Sequence, residues 1–185
     1  MYYIFEADKL RKIRHLIYGG DDGWGLSFLK GYPLTPPAHP DQLKVEFETE
    51  AVALPDYFEA NSSPIVNDKV AGVLNGLKLD NIQLFPVKIE FPEKQVPGYY
   101  ALNVIGRFNA IDVDASETTQ FRGRVARMKK LQLKEGRFEG AEMFRDDQYQ
   151  ELIFVSERVK LALEAAAISG ALYPAANGWS DAHRF

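Results

Sequence analysis

Asp112 and Asp114 stand two residues apart at the end of a strand-like run, Phe108–Val113, so both carboxylates would point to one face. With Ser116 and Glu117 beside them they form the set best suited to holding a divalent cation or supplying an acid and a base. The regularly spaced oxygens and turn glycine of a calcium loop are missing. Acids at a strand end commonly cap a turn, and that is the stronger expectation here. His15, His39 and His183 lie far apart, with no pair at ligand spacing. A Ser-His-Asp set built by the fold stays open, although Gly-x-Ser-x-Gly does not occur. Gly23-Trp24-Gly25 is a lone fragment of a glycine-rich phosphate loop, and no complete one is present. Cysteine is absent, which excludes thiolate nucleophiles, iron–sulfur clusters, thiolate zinc sites and disulfides. The sequence thus predicts no catalytic residues, no metal and no cofactor.

The remaining candidates are recognition residues. Aromatics make up 12% of the chain, and three groups of them lie beside acids in loop-like sequence. These are Trp24 with Asp21 and Asp22, Tyr57 and Phe58 with Asp56 and Glu59, and Tyr149 with Asp146 and Asp147. Tyr and Trp bury large areas at little entropic cost, so aromatics ringed by charge suit a protein-binding surface. Asp21, Asp22, Trp24, Tyr57, Asp146, Asp147 and Tyr149 are the expected partner-binding residues. Ordinary loop packing is the competing expectation for each group.

Arg122, Arg124, Arg127, Lys129, Lys130 and Lys134 form the densest basic run, read either as solvated edge-strand charge or as a site for an acidic partner. Overall, 22 Lys and Arg face 26 Asp and Glu, for a formal charge of -4. A general nucleic-acid binder needs a basic surplus, so nucleic acid is not an expected partner. No apolar run approaches the roughly 20 residues that span a bilayer. The start of the chain lacks the basic-then-apolar order of a secretory signal. No membrane association and a cytoplasmic location are expected, and a small-molecule ligand is not.

These residues must be placed by strands more than helices. Tyr2–Ala7, Leu43–Thr49, Ile82–Phe91, Tyr99–Val104, Phe108–Val113, Arg124–Leu133 and Leu152–Val155 read as strands from their alternation and β-branched content. Helices are predicted at about 67–77 and 156–168, each with an apolar stripe: Val70, Val73, Leu74, Leu77 and Val159, Ala162, Leu163, Ala166. Residues 19–40 carry Pro33, Pro36, Pro37 and Pro40 with five glycines and predict a long loop, which Trp24, Phe28 and Tyr32 would dock. Asn177–Phe185 reads as a frayed polar tail that Trp179 could anchor. The fold class is α+β, a mostly antiparallel sheet with at least two amphipathic helices packed on it. A single domain over 1–185 is expected, with a variable region over 1–60 and a core over 61–176.

The two helical segments are alike. Val66-Asn67-Asp68-Lys69-Val70 matches Val155-Ser156-Glu157-Arg158-Val159 in kind, Leu79 aligns with Ile168, and Leu84-Phe85-Pro86 aligns with Leu172-Tyr173-Pro174 after a one-residue gap. A repeated unit and independent convergence on good capping chemistry both explain this.

Four blocks carry a family resemblance. They are Pro64-Ile65-Val66-Asn67-Asp68-Lys69-Val70, then Gly98-Tyr99-Tyr100-Ala101-Leu102-Asn103-Val104, then Ile111-Asp112-Val113-Asp114 with Ser116. The last is Leu152-Ile153-Phe154-Val155-Ser156-Glu157-Arg158-Val159-Lys160, followed by Gly170. From Val66 to Leu172 the chain resembles the eleventh family of bacterial immunity proteins, from polymorphic-toxin and contact-dependent competition systems. Asn67 stands where that family typically has Ser, which keeps the helix cap. The resemblance implies a small cytoplasmic α+β protein that binds and blocks a cognate toxin encoded nearby, without catalytic residues of its own. Residues 1–60 match less well and are expected to carry partner specificity. Were the toxin a nuclease, Asp21, Asp22, Asp146 and Asp147 would stand in for phosphates. The competing functions are a regulatory scaffold that inhibits a different enzyme, and a carboxylate-dependent hydrolase using Asp112 and Asp114.

Overall fold

A computed structural model describes residues 1–8, 15–18, 27–36, 43–47, 53–60, 63–122, 124–136, 138 and 140–182. In the first half of the chain lie β1 (Tyr2–Ile4), β2 (Glu6–Ala7), β3 (His15–Tyr18), β4 (Lys44–Phe47), β5 (Tyr57–Ala60), β6 (Ser63–Asn67), α1 (Asp68–Gly76), β7 (Ile82–Phe91) and β8 (Lys94–Val104). Then follow β9 (Arg107–Phe108), β10 (Glu117–Phe121), β11 (Arg124–Lys130), β12 (Met143–Asp146), β13 (Ile153–Ser156), α2 (Glu157–Ala165) and β14 (Ala171–Leu172). The larger sheet has the order β3-β4-β7-β8-β6-β5 and the smaller β1-β13-β12-β9. Two-stranded sheets join β10 to β11 and β14 to β2. All pairings are antiparallel except β4 with β7 and β12 with β9. The fold is α+β, as the sequence predicts.

Alternation along the strands sorts side chains into three layers. Tyr57, Val66, Leu102 and Val104 of the larger sheet meet Met143, Ile153 and Val155 of the smaller, and Phe5 between β1 and β2, across a shared core, which Val70, Leu74, Val159 and Leu163 of the helices complete. Behind the larger sheet lie Val45, Phe58, Ile65, Phe85, Ile89 and Ala101 with Phe28. Behind the smaller lie Ile4, Phe144 and Phe154 with Val125, Met128, Leu131 and Trp179. Burial of this apolar area, at roughly 25 cal/mol per Å², is the main force holding the layers together.

The two strand-to-helix units repeat in register. Asn67 accepts from the amides of Lys69 and Val70, and Ser156 from that of Val159. The cap amides bond back in the same way, Asn67 to the Asp56 carbonyl at 2.9 Å and Ser156 to the Glu142 carbonyl at 2.8 Å. Tyr100 and Tyr3, each opposite the penultimate valine of the strand (Val66 and Val155), send their hydroxyls to the first-turn acids Asp68 and Glu157. Both helices end in an exposed non-glycine residue in the left-handed region, Lys78 (φ 55°) and Ala167 (φ 50°). Beyond them Ile82 pairs with Val104 as Ala171 pairs with Ala7, and Ile105 N bonds Asn81 O as Asp8 N bonds Gly170 O. The correspondence therefore continues without a gap, Leu84 matching Tyr173, which corrects the one-residue gap in the sequence alignment. The helices also exchange bonds. Lys69 Nζ donates to Ala167 O at 2.8 Å and Arg158 Nη2 to Leu77 O at 3.0 Å, so each unit reaches the helix end of the other, with acceptors one residue out of step. The strand beside the first unit is β8, which follows the helix; beside the second it is β1, from the start of the chain.

Three expectations are corrected. The predicted strand over Phe108–Val113 stops at Phe108, because the Ala110 and Ile111 amides turn to the Asp146 carboxylate instead of a neighbouring strand. The strand expected from Tyr99 starts at Lys94, in a hairpin with β7. The tail from Asn177 to Ala182 is packed, not frayed. Trp179 Nε1 bonds Glu6, and buried Asp181 accepts from Met128 N and the Tyr149 hydroxyl. His183 and Phe185 lie outside the described residues.

Candidate partner-binding surface

Asp146 is fully buried at the end of β12 and takes four backbone amides. Ala110 and Ile111 donate to Oδ2 at 2.9 and 3.0 Å, and Gln148 and Tyr149 donate to Oδ1 at 2.6 and 3.0 Å. Such a carboxylate staples two loop segments to the end of β12, with both oxygens engaged. Tyr149 is buried with its hydroxyl on Asp181. Tyr57 begins β5, not a loop, and is buried in a 4.1 Å stack on Phe5. Tyr57, Asp146 and Tyr149 thus face inward, and the picture of exposed anchors is corrected at all three. The cause is common to them: each is drawn inward by at least one contact with a residue far away in sequence, Phe5 for Tyr57, Ala110 and Ile111 for Asp146, and Asp181 for Tyr149.

Asp147, the next residue after Asp146, does reach the surface. It pairs with Arg107 Nη2 at 2.7 Å, its side chain 41% exposed. Arg107 lies against the ring of exposed Tyr32, 5.5 Å from the centroid, and its Nη1 reaches the Tyr32 hydroxyl at 3.3 Å. Gly31 (φ 66°) lets this happen, since a Cβ there would sit 2.5 Å from Arg107 Cγ. The described part of the proline-rich loop docks on the larger sheet, as expected. Phe28 is buried, Gln83 clamps Leu34 N and O, and Asn103 donates to Tyr32 O. Tyr32, Arg107 and Asp147 form one mixed patch; the signal that could have found it was Tyr32 beside Gly31. Asp21, Asp22 and Trp24 lie outside the described residues.

The Asp112 carboxylate takes the Asp114 and Ala115 amides at 3.2 and 3.1 Å, so it caps a turn. Ser116 exchanges bonds with the Gln132 backbone. Among the described residues no group of three or more His, Asp or Glu is placed to hold a metal ion. His39 lies outside the described residues, as do the side chain of His15 and all of His183. No described helix is long and apolar enough to cross a membrane.

Three buried charged residues escaped sequence reasoning: Glu6, Asp181 and Arg145. Arg145 is 1% exposed on the inner side of β12, where Nη1 donates to Gln150 O at 2.8 Å while Nε and Nη2 have no hydrogen-bond partner among the described residues. Burial pulls it down to about 10, and nearby Tyr57 and Glu59 oppose that shift, so it stays charged at neutral pH. Nothing in its neighbours along the chain distinguishes it from a surface arginine.

Among the described residues, the buried carboxylates of Asp146 and Asp181 are occupied in holding the fold together, and Tyr32, Arg107 and Asp147 form a mixed patch of the kind proteins use to recognise each other. Residues 2–177 match the sequence model of the immunity protein family Imm11. The chain belongs to this family. The match extends beyond Val66–Leu172 on both sides, so the Imm11 signature includes β1 and the packed segment up to Asn177. It therefore takes in both repeat units, the second of which has its neighbouring strand in β1. No curated protein matches the chain.

Proposed function

We propose that this chain is an immunity protein that binds a cognate secreted toxin domain inside the producing cell and covers it, making and breaking no bonds itself. Membership of the Imm11 family carries the reading. It is supported by where the acids go: Asp146 and Asp181 serve buried backbone and hydroxyl donors, and Asp112 caps a turn. The Asp147–Arg107–Tyr32 patch, with Asp21, Asp22 and Trp24 in the same part of the sequence as Tyr32, is the acidic and aromatic side of the proposed interface. Co-expression with the toxin encoded by the neighbouring gene tests this. Growth rescue and co-purification are expected, and death of the cells despite a folded, abundant chain overturns it.

A further inference from the structure

The β10–β11 hairpin is built unlike the rest of the surface. Its inward side chains, Val125 and Met128, rest on the core behind the smaller sheet, while Thr119, Gln120, Phe121, Arg122, Arg127, Lys129 and Lys130 are exposed. Between Glu117 and Lys134 the sequence has six bases, Arg122, Arg124, Arg127, Lys129, Lys130 and Lys134, against the single acid Glu117, in a chain whose formal charge is -4. Arg127 is held by Asp181 and Lys134 by Asn109. Lys129 and Lys130 have no ion pair among the described residues, and Arg122 stands 5.1 Å from the Phe121 ring centroid at the tip. The C-terminal segment covers β11 at Met128 and Leu131 through bonds with Asp181, Trp179 and Gly178. Among the described residues no strand pairs with the other side of β10.

Basic side chains alone would suffice to keep an exposed edge from pairing with another sheet. They do not explain Phe121, which is 65% exposed at the turn, with Arg122 over its ring in the left-handed region (φ 51°). An aromatic and an arginine projecting together at the tip have the composition of a protein-binding hot spot, and Lys129 and Lys130, at the other end of the same hairpin with Lys130 opposite Glu117, add positive charge along β11. We propose that this hairpin engages an acidic surface on the toxin: Phe121 and Arg122 form the contact, and Lys129 and Lys130 steer the encounter. This rests on the immunity reading and names the chemistry of the partner.

The test measures association of the purified chain with the toxin domain encoded by the neighbouring gene, across ionic strength. In Lys129→Glu/Lys130→Glu, association is expected to slow about ten-fold or more at low salt, the deficit shrinking as salt screens the charges. Lys129→Arg/Lys130→Arg keeps the wild-type rate. Phe121→Ala/Arg122→Ala speeds dissociation at least about ten-fold. All sites are exposed, and unchanged thermal melting confirms that each variant is folded. A wild type that does not bind the toxin overturns both the immunity reading and this one. A wild type that binds, with both hairpin variants behaving like it, overturns the hairpin alone. Binding of single-stranded RNA that the Glu variant loses, with toxin association unchanged, likewise overturns it.

Discussion

The β6–α1 and β13–α2 units run the same local program with different supports. In each, a strand passes directly into a nine-residue helix, a polar cap takes first-turn amides, and an acid follows the cap. The carboxylate beneath the first cap, Asp56, accepts from Asn67 Nδ2 at 2.7 Å, Ser169 N at 2.7 Å, Ser169 Oγ at 2.9 Å and Lys69 Nζ at 3.3 Å. Its counterpart, Glu142, accepts from Ser156 Oγ and from Arg158 Nη1 at 3.0 Å. Asp56 is 16% exposed and Glu142 31%. The repeated sequence sets the helix; the residue beneath the cap sets how firmly one helix is bound to the end of the other.

The largest test of that asymmetry is the pair Asp56→Ala and Glu142→Ala. The first is expected to cost about 2–4 kcal/mol in denaturant unfolding, because it strands several partners, and the second about 1 kcal/mol. Equal losses would show that the supports are equivalent. Acid should also act on the first unit. Burial raises the Asp56 carboxyl, but the Ser169 amide, Asn67, the Ser169 hydroxyl and Lys69 outweigh it and bring it down from 3.8 to about 2. An unfolded chain takes up the proton near 3.8 while the native state resists to about 2, so the stabilisation is complete above that window and is lost as pH falls through it. The loss amounts to about 2 kcal/mol, and Asp56→Asn should remove this part of the pH dependence. Next in size are the caps. Asn67→Ala should cost about 1.5–2 kcal/mol and Ser156→Ala about 1 kcal/mol, since Asn67 serves two amides and also donates to Asp56. Smallest and opposite in sign, Lys78→Gly and Ala167→Gly should each raise stability by about 0.5–1 kcal/mol by relieving the left-handed backbone. A gain at one site only would show that the two helix exits differ.

These units were readable in the sequence because capping and apolar periodicity are properties of neighbours along the chain. The strand from Ile82 to Phe91 was readable for the same reason, as its alternation extends over ten residues. Asp146 was not. Its two distant donors, Ala110 and Ile111, lie in another segment, and nothing near Asp146-Asp147 says which acid turns inward. Tyr57 and Tyr149 misled in the same way, since an aromatic beside acids looks alike whether it stacks on Phe5, bonds Asp181 or faces a partner. Asp112 was read correctly as a turn cap because its partners are two and three residues away.

The pairing of Tyr2–Ile4 with Phe154–Ser156 has a consequence for how the molecule is made. This strand leaves the ribosome about 150 residues ahead of the elements it belongs between, β13 and the segment of Pro174 and Ala176 that also bonds to it. During synthesis the larger sheet can close once β8 has emerged, whereas the smaller sheet waits for β13. Completion is therefore governed by the slow closure of a long loop, and a ribosome stalled before Ile153 leaves the Tyr2–Ile4 edge unpaired and open to aggregation.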